Sequence, residues 1–237
     1  GSDLHLLGPM AMYMEPGDVL GHEAMGVVEE VGPDATRLTV GDRVVVPFNV
    51  SCGTCRFCRS GLMSQCLTTS DAEQGTGAAL FGYSKLYGHV AGGQAEYLRV
   101  PQAQFGPVVV PDDGPDTRYL FLSDILPTAW QAVEYADLPP GGSVLVWGLG
   151  PVGHLAARVA AHRGASHVFG VDPVPERRSL AAKHGVQTID SALDAVTAVR
   201  DLTEGLGPDA VIDAVGMEAE GNPVAGERVT FQSIMTH

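Results

Sequence analysis

Basic residues are scarce in this 237-residue chain. Only 14 Lys and Arg stand against 28 Asp and Glu, a formal net charge of −14. With no basic stripe, it lacks the electrostatic footprint of a nucleic-acid binder. No apolar run approaches the ~20 residues needed to cross a bilayer, and the first residues do not form a signal peptide. Internal repeats and low-complexity tracts are absent. Cysteine is missing everywhere outside residues 52–66, so no disulfide framework staples the rest of the chain. The expectation is a soluble, cytoplasmic protein, large enough to form one big domain or two ordinary ones.

The cysteines that are present stand as Cys52-Gly-Thr-Cys55-Arg-Phe-Cys58, with Cys66 completing the set. Two-residue gaps let a loop wrap a structural zinc ion with four sulfur ligands at roughly 2.3 Å, while Gly53 and Gly61 take the tight backbone angles. Disulfides between such near neighbours would close strained rings and give little stability to so large a chain. A ferredoxin-type iron–sulfur cluster uses a shorter last gap followed by proline, whereas Leu67 follows Cys66. Arg56 and Arg59, between the ligands, can offset thiolate charge.

Strand signals fill the first half: Gly26–Gly32, Asp42–Phe48 and Ala95–Val100, the first two rich in β-branched residues. They predict a compact β domain. Residues 67–93 read as a long surface excursion of open role. After Pro111-Asp-Asp-Gly-Pro115 the pattern alternates helix and strand, which predicts a domain boundary near residue 126 and a parallel-sheet unit beyond it.

That unit opens with a strand over Ser143–Trp147 running into Gly148-Leu-Gly150-Pro-Val-Gly153. A Gly-x-Gly-x-x-Gly alone is weak evidence, since glycine-rich turns are common. Here the context fits on both sides: Val152, Leu155, Ala156, Val159 and Ala160 recur at helical spacing, Pro151 suits a first turn, and Gly164 supplies the stop. Gly148 would make the tight turn, Gly150 would let pyrophosphate approach the backbone, and Gly153 would let helix and strand pack closely. The anion would sit at the helix N-terminus, against Pro151 and Val152. A second strand, His167–Val171, ends at Asp172, where a dinucleotide fold keeps its ribose-binding acid. Such an acid would repel a 2′-phosphate and favour NAD over NADP. Alternatively Asp172 only starts the turn Asp-Pro-Val-Pro, and Arg177 nearby could soften the discrimination.

Three motifs together resemble the zinc-dependent medium-chain alcohol dehydrogenases: Gly21-His22-Glu23, the four-cysteine lobe, and the Gly148–Gly153 turn. The resemblance covers nearly the whole chain and is closest to the branch of formaldehyde, threonine and polyol dehydrogenases. It implies an α/β protein with a GroES-like β-barrel catalytic domain, residues 1–126, and a partial Rossmann NAD-binding domain, residues 127–237. It also implies a second, catalytic zinc in a cleft between the two, held by His22 and Asp124 with Glu23 beside it. That zinc would act as a Lewis acid on the substrate hydroxyl while a hydride passes to the nicotinamide. Ser2 would hydrogen-bond the alcohol oxygen and begin a proton relay, with His5 farther out. Asp3 would orient His22, and Thr128 would lie against the nicotinamide. The expected partner is a small alcohol or aldehyde, and relatives commonly form homodimers or homotetramers. The family's third catalytic ligand, a cysteine, falls directly before Gly1, and relatives continue past His237. The expectation is a chain shortened at both ends, with an incomplete catalytic site. Two other classes stand beside this reading: a non-catalytic NAD- and zinc-binding protein on the same scaffold, and a zinc-ribbon module, which the acidic charge and the dinucleotide turn disfavour.

Overall fold

A computed structural model describes residues 2–8, 10–190 and 195–216; residues 217–237 of the expected nucleotide domain lie outside the described residues. The chain divides into two compact units, Gly1–Pro127 and Thr128–His237.

The first unit opens with helix α1 (Ser2–Leu7), whose Leu6 is fully buried. Strands β1 (Ala24–Val27), β2 (Arg43–Val46) and, after the short helix α2 (Arg56–Arg59), β3 (Val108–Val109) form an antiparallel sheet in the order β1-β2-β3. Ala24 faces Val46, and Val44 faces Val109. Val44 and Val46 turn one face of β2 into a core with Leu38, Val50, Ala79 and Phe81. Val45, pointing to the opposite face, is completely buried too, so this β-branched run is covered on both sides. The ladder is shorter than the sequence suggests. Beyond Val27 the pairing persists only at Val28, whose N–H donates to the Asp42 carbonyl and whose carbonyl accepts from the Gly41 N–H, both at 2.8 Å, before Gly32 and Pro33 turn the chain. The strand expected at Ala95–Val100 does not form. Leu98 and Val100 do pack on the core, but their backbone joins no ladder among the described residues. The apolar alternation was real; the edge needed for pairing was not supplied.

Helix α3 (Ile125–Ala136) spans the division between the units. The second unit then runs β4 (Ser143–Trp147), α4 (Pro151–His162), β5 (His167–Val171), α5 (Pro175–Ala182), β6 (Gln187–Ile189), α6 (Ala195–Leu202) and β7 (Ala210–Asp213). Its four strands are parallel in the order β6-β5-β4-β7, so successive crossovers build outward from β4 on one side and then return to its other side. Val144 and Val146 of β4 and Val171 of β5 are completely buried, as expected where a parallel sheet has both faces covered. Asp209 secures the start of β4, accepting hydrogen bonds from the Ser143 N–H at 2.7 Å and its hydroxyl at 2.8 Å. Fully buried Ala156 and Ala160 let α4 lie close to the sheet. The helix stops at Gly164, whose φ of +96° only glycine adopts without strain. The Gly148–Gly153 turn thus follows the strand where the order reverses, the position at which open α/β sheets bind ligands.

Candidate functional site

In the cysteine lobe all four sulfurs lie within 4.8 Å of one another, and all four thiols are free. Cys52, Cys58 and Cys66 are buried and Cys55 half-buried. Cys55 caps α2, its sulfur accepting from the Cys58 N–H at 3.5 Å. The Thr54 and Cys55 N–H groups point at Cys52 Sγ, at 3.4 and 3.3 Å, and the Cys52 N–H at Cys66 Sγ. Such donors favour thiolates. The Thr68 and Thr54 hydroxyls, with these amides, draw the Cys52 thiol down to about 5, while burial beside Cys55 pushes Cys58 up to about 12. A tetrahedral zinc with bonds of about 2.3 Å needs sulfurs about 3.8 Å apart, so the donor set fits. Gly53 has φ +73°, and a Cβ there would meet the Phe105 ring at 2.3 Å, so Phe105 seats the lobe on the rest of the unit.

The second cluster is built around His22, which is 5% exposed. Its Nε2 lies 3.2 Å from Asp124 Oδ2 and its Nδ1 3.4 Å from Asp3 Oδ1. Glu23 is exposed but offers an oxygen within 4.8 Å of the ligand atoms of His22 and Asp124. Burial alone would lower the His22 pKa. The Asp124 hydrogen bond and the charges of Asp124, Asp3 and Glu23 outweigh it and raise the value. One imidazole among three carboxylates leaves an excess of negative charge that a divalent cation would neutralise, so the donors also suit zinc.

Backbone packing holds His22 there. Gly21 (φ +98°) receives the Gly93 N–H at 2.8 Å, the Gln94 N–H reaches the Leu20 carbonyl at 2.9 Å, and a Cβ on Gly21 would strike Gln94 at 2.7 Å. The Gln94 side chain donates to Asp3 Oδ2. On another side the Tyr83 ring stands 5.1 Å from the His22 ring, tilted by 56°, and its hydroxyl shares a hydrogen bond with Ser2. Burial, with the nearby Asp124 and Asp3 charges, raises the Tyr83 pKa despite that bond. Ser2, Asp3, His22, Glu23 and Asp124 are thus brought together. His5 lies one turn along α1 from Ser2, and Thr128 is exposed on α3. Tyr83 and Gln94 were missed. Tyr83 lies in the 67–93 excursion and Gln94 directly after it, and the hint was the pair Gly92-Gly93, which permits the close backbone approach.

In the second unit Gly148 has φ +89°, and Gly150 begins α4 with open space where its Cβ would be. No side chain caps the helix, so its first N–H groups face outward with Pro151 at the first turn. Asp172 is only 1% exposed. Its Oδ2 accepts from the Leu149 N–H at 2.7 Å and its Oδ1 from the Val174 N–H at 2.8 Å, with Arg177 3.4 Å from Oδ2. The acid therefore ties the glycine turn to the end of β5. Replacing Asp172 by asparagine should cost about 1–3 kcal/mol of stability and narrow any preference for NAD over NADP, as checked by thermal melts and titration calorimetry with both nucleotides. Unchanged melts would show that the amides find other partners. His154 on α4 is half-buried, with its ring 5.2 Å from that of His184.

Residues 1–112 match the alcohol dehydrogenase GroES-like domain, and residues 151–222 match the zinc-binding dehydrogenase domain. A medium chain reductase/dehydrogenase of Acremonium is 35% identical over 225 residues, covering 91% of this chain and 73% of that protein. The chain belongs to the zinc-dependent medium-chain alcohol dehydrogenase family. A glutathione-independent formaldehyde dehydrogenase of Pseudomonas aeruginosa is 39% identical over 96% of this chain and 57% of its own length. The alcohol dehydrogenase of Thermus sp. ATN1 superposes with a TM-score of 0.80 at 40% identity, covering 91% of this chain and 60% of that structure. The chain thus spans little more than half the length of several family members it matches. No helix among its described residues is long and apolar enough to cross a membrane.

Proposed function

We propose that this chain carries the zinc- and NAD-binding elements of an oxidoreductase that moves a hydride between a short alcohol, or hydrated formaldehyde, and NAD. The observation that carries the reading is buried His22, held between Asp124 and Asp3 with Glu23 alongside. Residues 1–126 form the catalytic domain and 127–237 the nucleotide-binding domain.

A zinc ion held by His22 and Asp124 would supply Lewis acidity toward a hydroxyl oxygen. The residues themselves do the rest. Asp3 takes the Nδ1 side of His22, which leaves Nε2 for the metal. Ser2 presents a hydroxyl that can accept the proton lost from the substrate, and His5 extends the path toward solvent. Gly148, Gly150, Pro151, Val152 and Gly153 receive the pyrophosphate at the start of α4, Asp172 and Arg177 meet the adenosine ribose, and Thr128 supports the nicotinamide. Cys52, Cys55, Cys58 and Cys66 hold a separate structural zinc.

NADH formation from a panel of short alcohols and formaldehyde, measured on the zinc-loaded protein, tests the reading. Turnover should fall to background in His22→Ala while the cysteine-lobe zinc is retained. Persistence of turnover in that variant would remove His22 from the mechanism. NAD binding without turnover in the unaltered protein would favour a non-catalytic role.

A further inference from the structure

We propose that Tyr83 is a positioning residue of the alcohol site, orienting the Ser2 hydroxyl toward the reacting oxygen while its ring covers one side of His22; the inference rests on the dehydrogenase reading above. Tyr83 lies in the excursion over residues 67–93, for which the sequence offered no role. Two observations place it at the chemistry: its ring centroid is 5.1 Å from that of His22, and its hydroxyl oxygen accepts a hydrogen bond from Ser2. The position is enforced from three directions. Phe81, 2% exposed, anchors the preceding residues in the core, and its N–H donates to the Phe48 carbonyl at 3.0 Å. Gly82 has φ +70° and packs so tightly on the Gly21 backbone that a Cβ would lie 2.6 Å from its nitrogen. Tyr87 closes the far side, edge-on at 5.9 Å. The segment that brings Tyr83 to Ser2 is thus braced against the backbone that carries His22.

The hydrogen bond gives this placement a chemical consequence. A serine hydroxyl has one hydrogen and two lone pairs and rotates freely. A Ser2 O–H donating to the Tyr83 oxygen sets the rotor and leaves both Ser2 lone pairs free, one of them to accept from the substrate hydroxyl. Fixing a group before the reaction removes an orientational cost that would otherwise fall on the transition state.

The test combines turnover with binding of trifluoroethanol, an alcohol that resists oxidation, so that ligand positioning is read without chemistry. Zinc-loaded unaltered protein, Tyr83→Phe, Ser2→Ala and the double variant are compared by titration calorimetry in the presence of NAD and by NADH formation with short alcohols. Tyr83→Phe should weaken trifluoroethanol binding and lower kcat/KM by about fivefold to tenfold. In the Ser2→Ala background the same change should cost almost nothing, because Tyr83 acts through Ser2. Zinc content and its rate of release to a chelator should be unchanged in Tyr83→Phe, which keeps the ring on His22. Equal affinity and turnover in Tyr83→Phe and the unaltered protein would overturn the proposal. So would a loss of the same size in both backgrounds, or zinc loss from Tyr83→Phe, which would mark a structural role. Unaltered protein that neither binds trifluoroethanol nor oxidises any alcohol would overturn the dehydrogenase reading and the role of Tyr83 with it.

Discussion

Exhaustive chelation should collapse the segment from Cys52 to Cys66 while leaving the second unit folded. The buried core of this lobe is Cys52, Cys58, Cys66 and Ala78, with Cys55 packed against it. Three thiols and a methyl group bury too little apolar surface to offset the entropy of ordering the loop, so metal ligation has to supply the difference. Structural zinc sites in small peptides contribute about 10–16 kcal/mol at neutral pH, far more than any other interaction available to the lobe. Hydrogen exchange is the direct measurement. The Cys52, Thr54, Cys55 and Cys58 amides that donate to sulfur should lose protection on zinc removal, and amides of β4 and β5 should keep theirs. Cys66→Ser should reproduce the effect in part. A metal-free lobe with undiminished protection would remove the structural-zinc assignment.

Gly153→Ala should be disabling, whereas Gly150→Ala should fold normally and still fail to bind nucleotide well. A Cβ on Gly153 would lie 1.8 Å from the Gly148 carbonyl oxygen and 3.1 Å from Ala214 Cβ. The nearer obstacle is backbone, so no side chain can yield and the turn itself must open. The expected cost is about 1–3 kcal/mol or more, with NAD affinity down by up to about a hundredfold. Gly150 has φ −65° and nothing within 4 Å of its Cβ position, so alanine is compatible with the fold. That open space is where a pyrophosphate would approach, so the added methyl should weaken NAD binding without lowering the melting temperature. Melts and NAD titrations of the two variants separate these effects. Undiminished NAD binding by Gly150→Ala would move the phosphate site away from this turn.

The parts legible in the sequence share one property: their chemistry is local. The strand at Ser143–Trp147, the glycine turn and helix α4 with its stop at Gly164 were all readable because backbone angles, helical periodicity and capping are set by residues a few positions apart. The cysteine lobe was readable for the same reason, since four ligands within 15 positions need only one loop. Ala95–Val100 shows the limit: its pattern resembles a strand, but a strand requires an edge whose availability no local pattern encodes.

Residue types and short spacings were enough to determine the four-thiol site, the dinucleotide turn and the resemblance that singles out His22 and Asp124, because each depends on the intrinsic chemistry of the side chains or on neighbours along the chain. Tertiary structure decided what surrounds them. His22 meets Asp124 across 102 positions, Gln94 reaches Asp3 across 91, and Tyr83 arrives from a segment without periodicity. It also decided that Asp172 is buried and already bonded to the turn it was expected only to accompany. These contacts depend on how loops close over long sequence separations, where Gly21, Gly82 and Gly93 permit backbones to approach, and that closure is set by the packing of the whole unit.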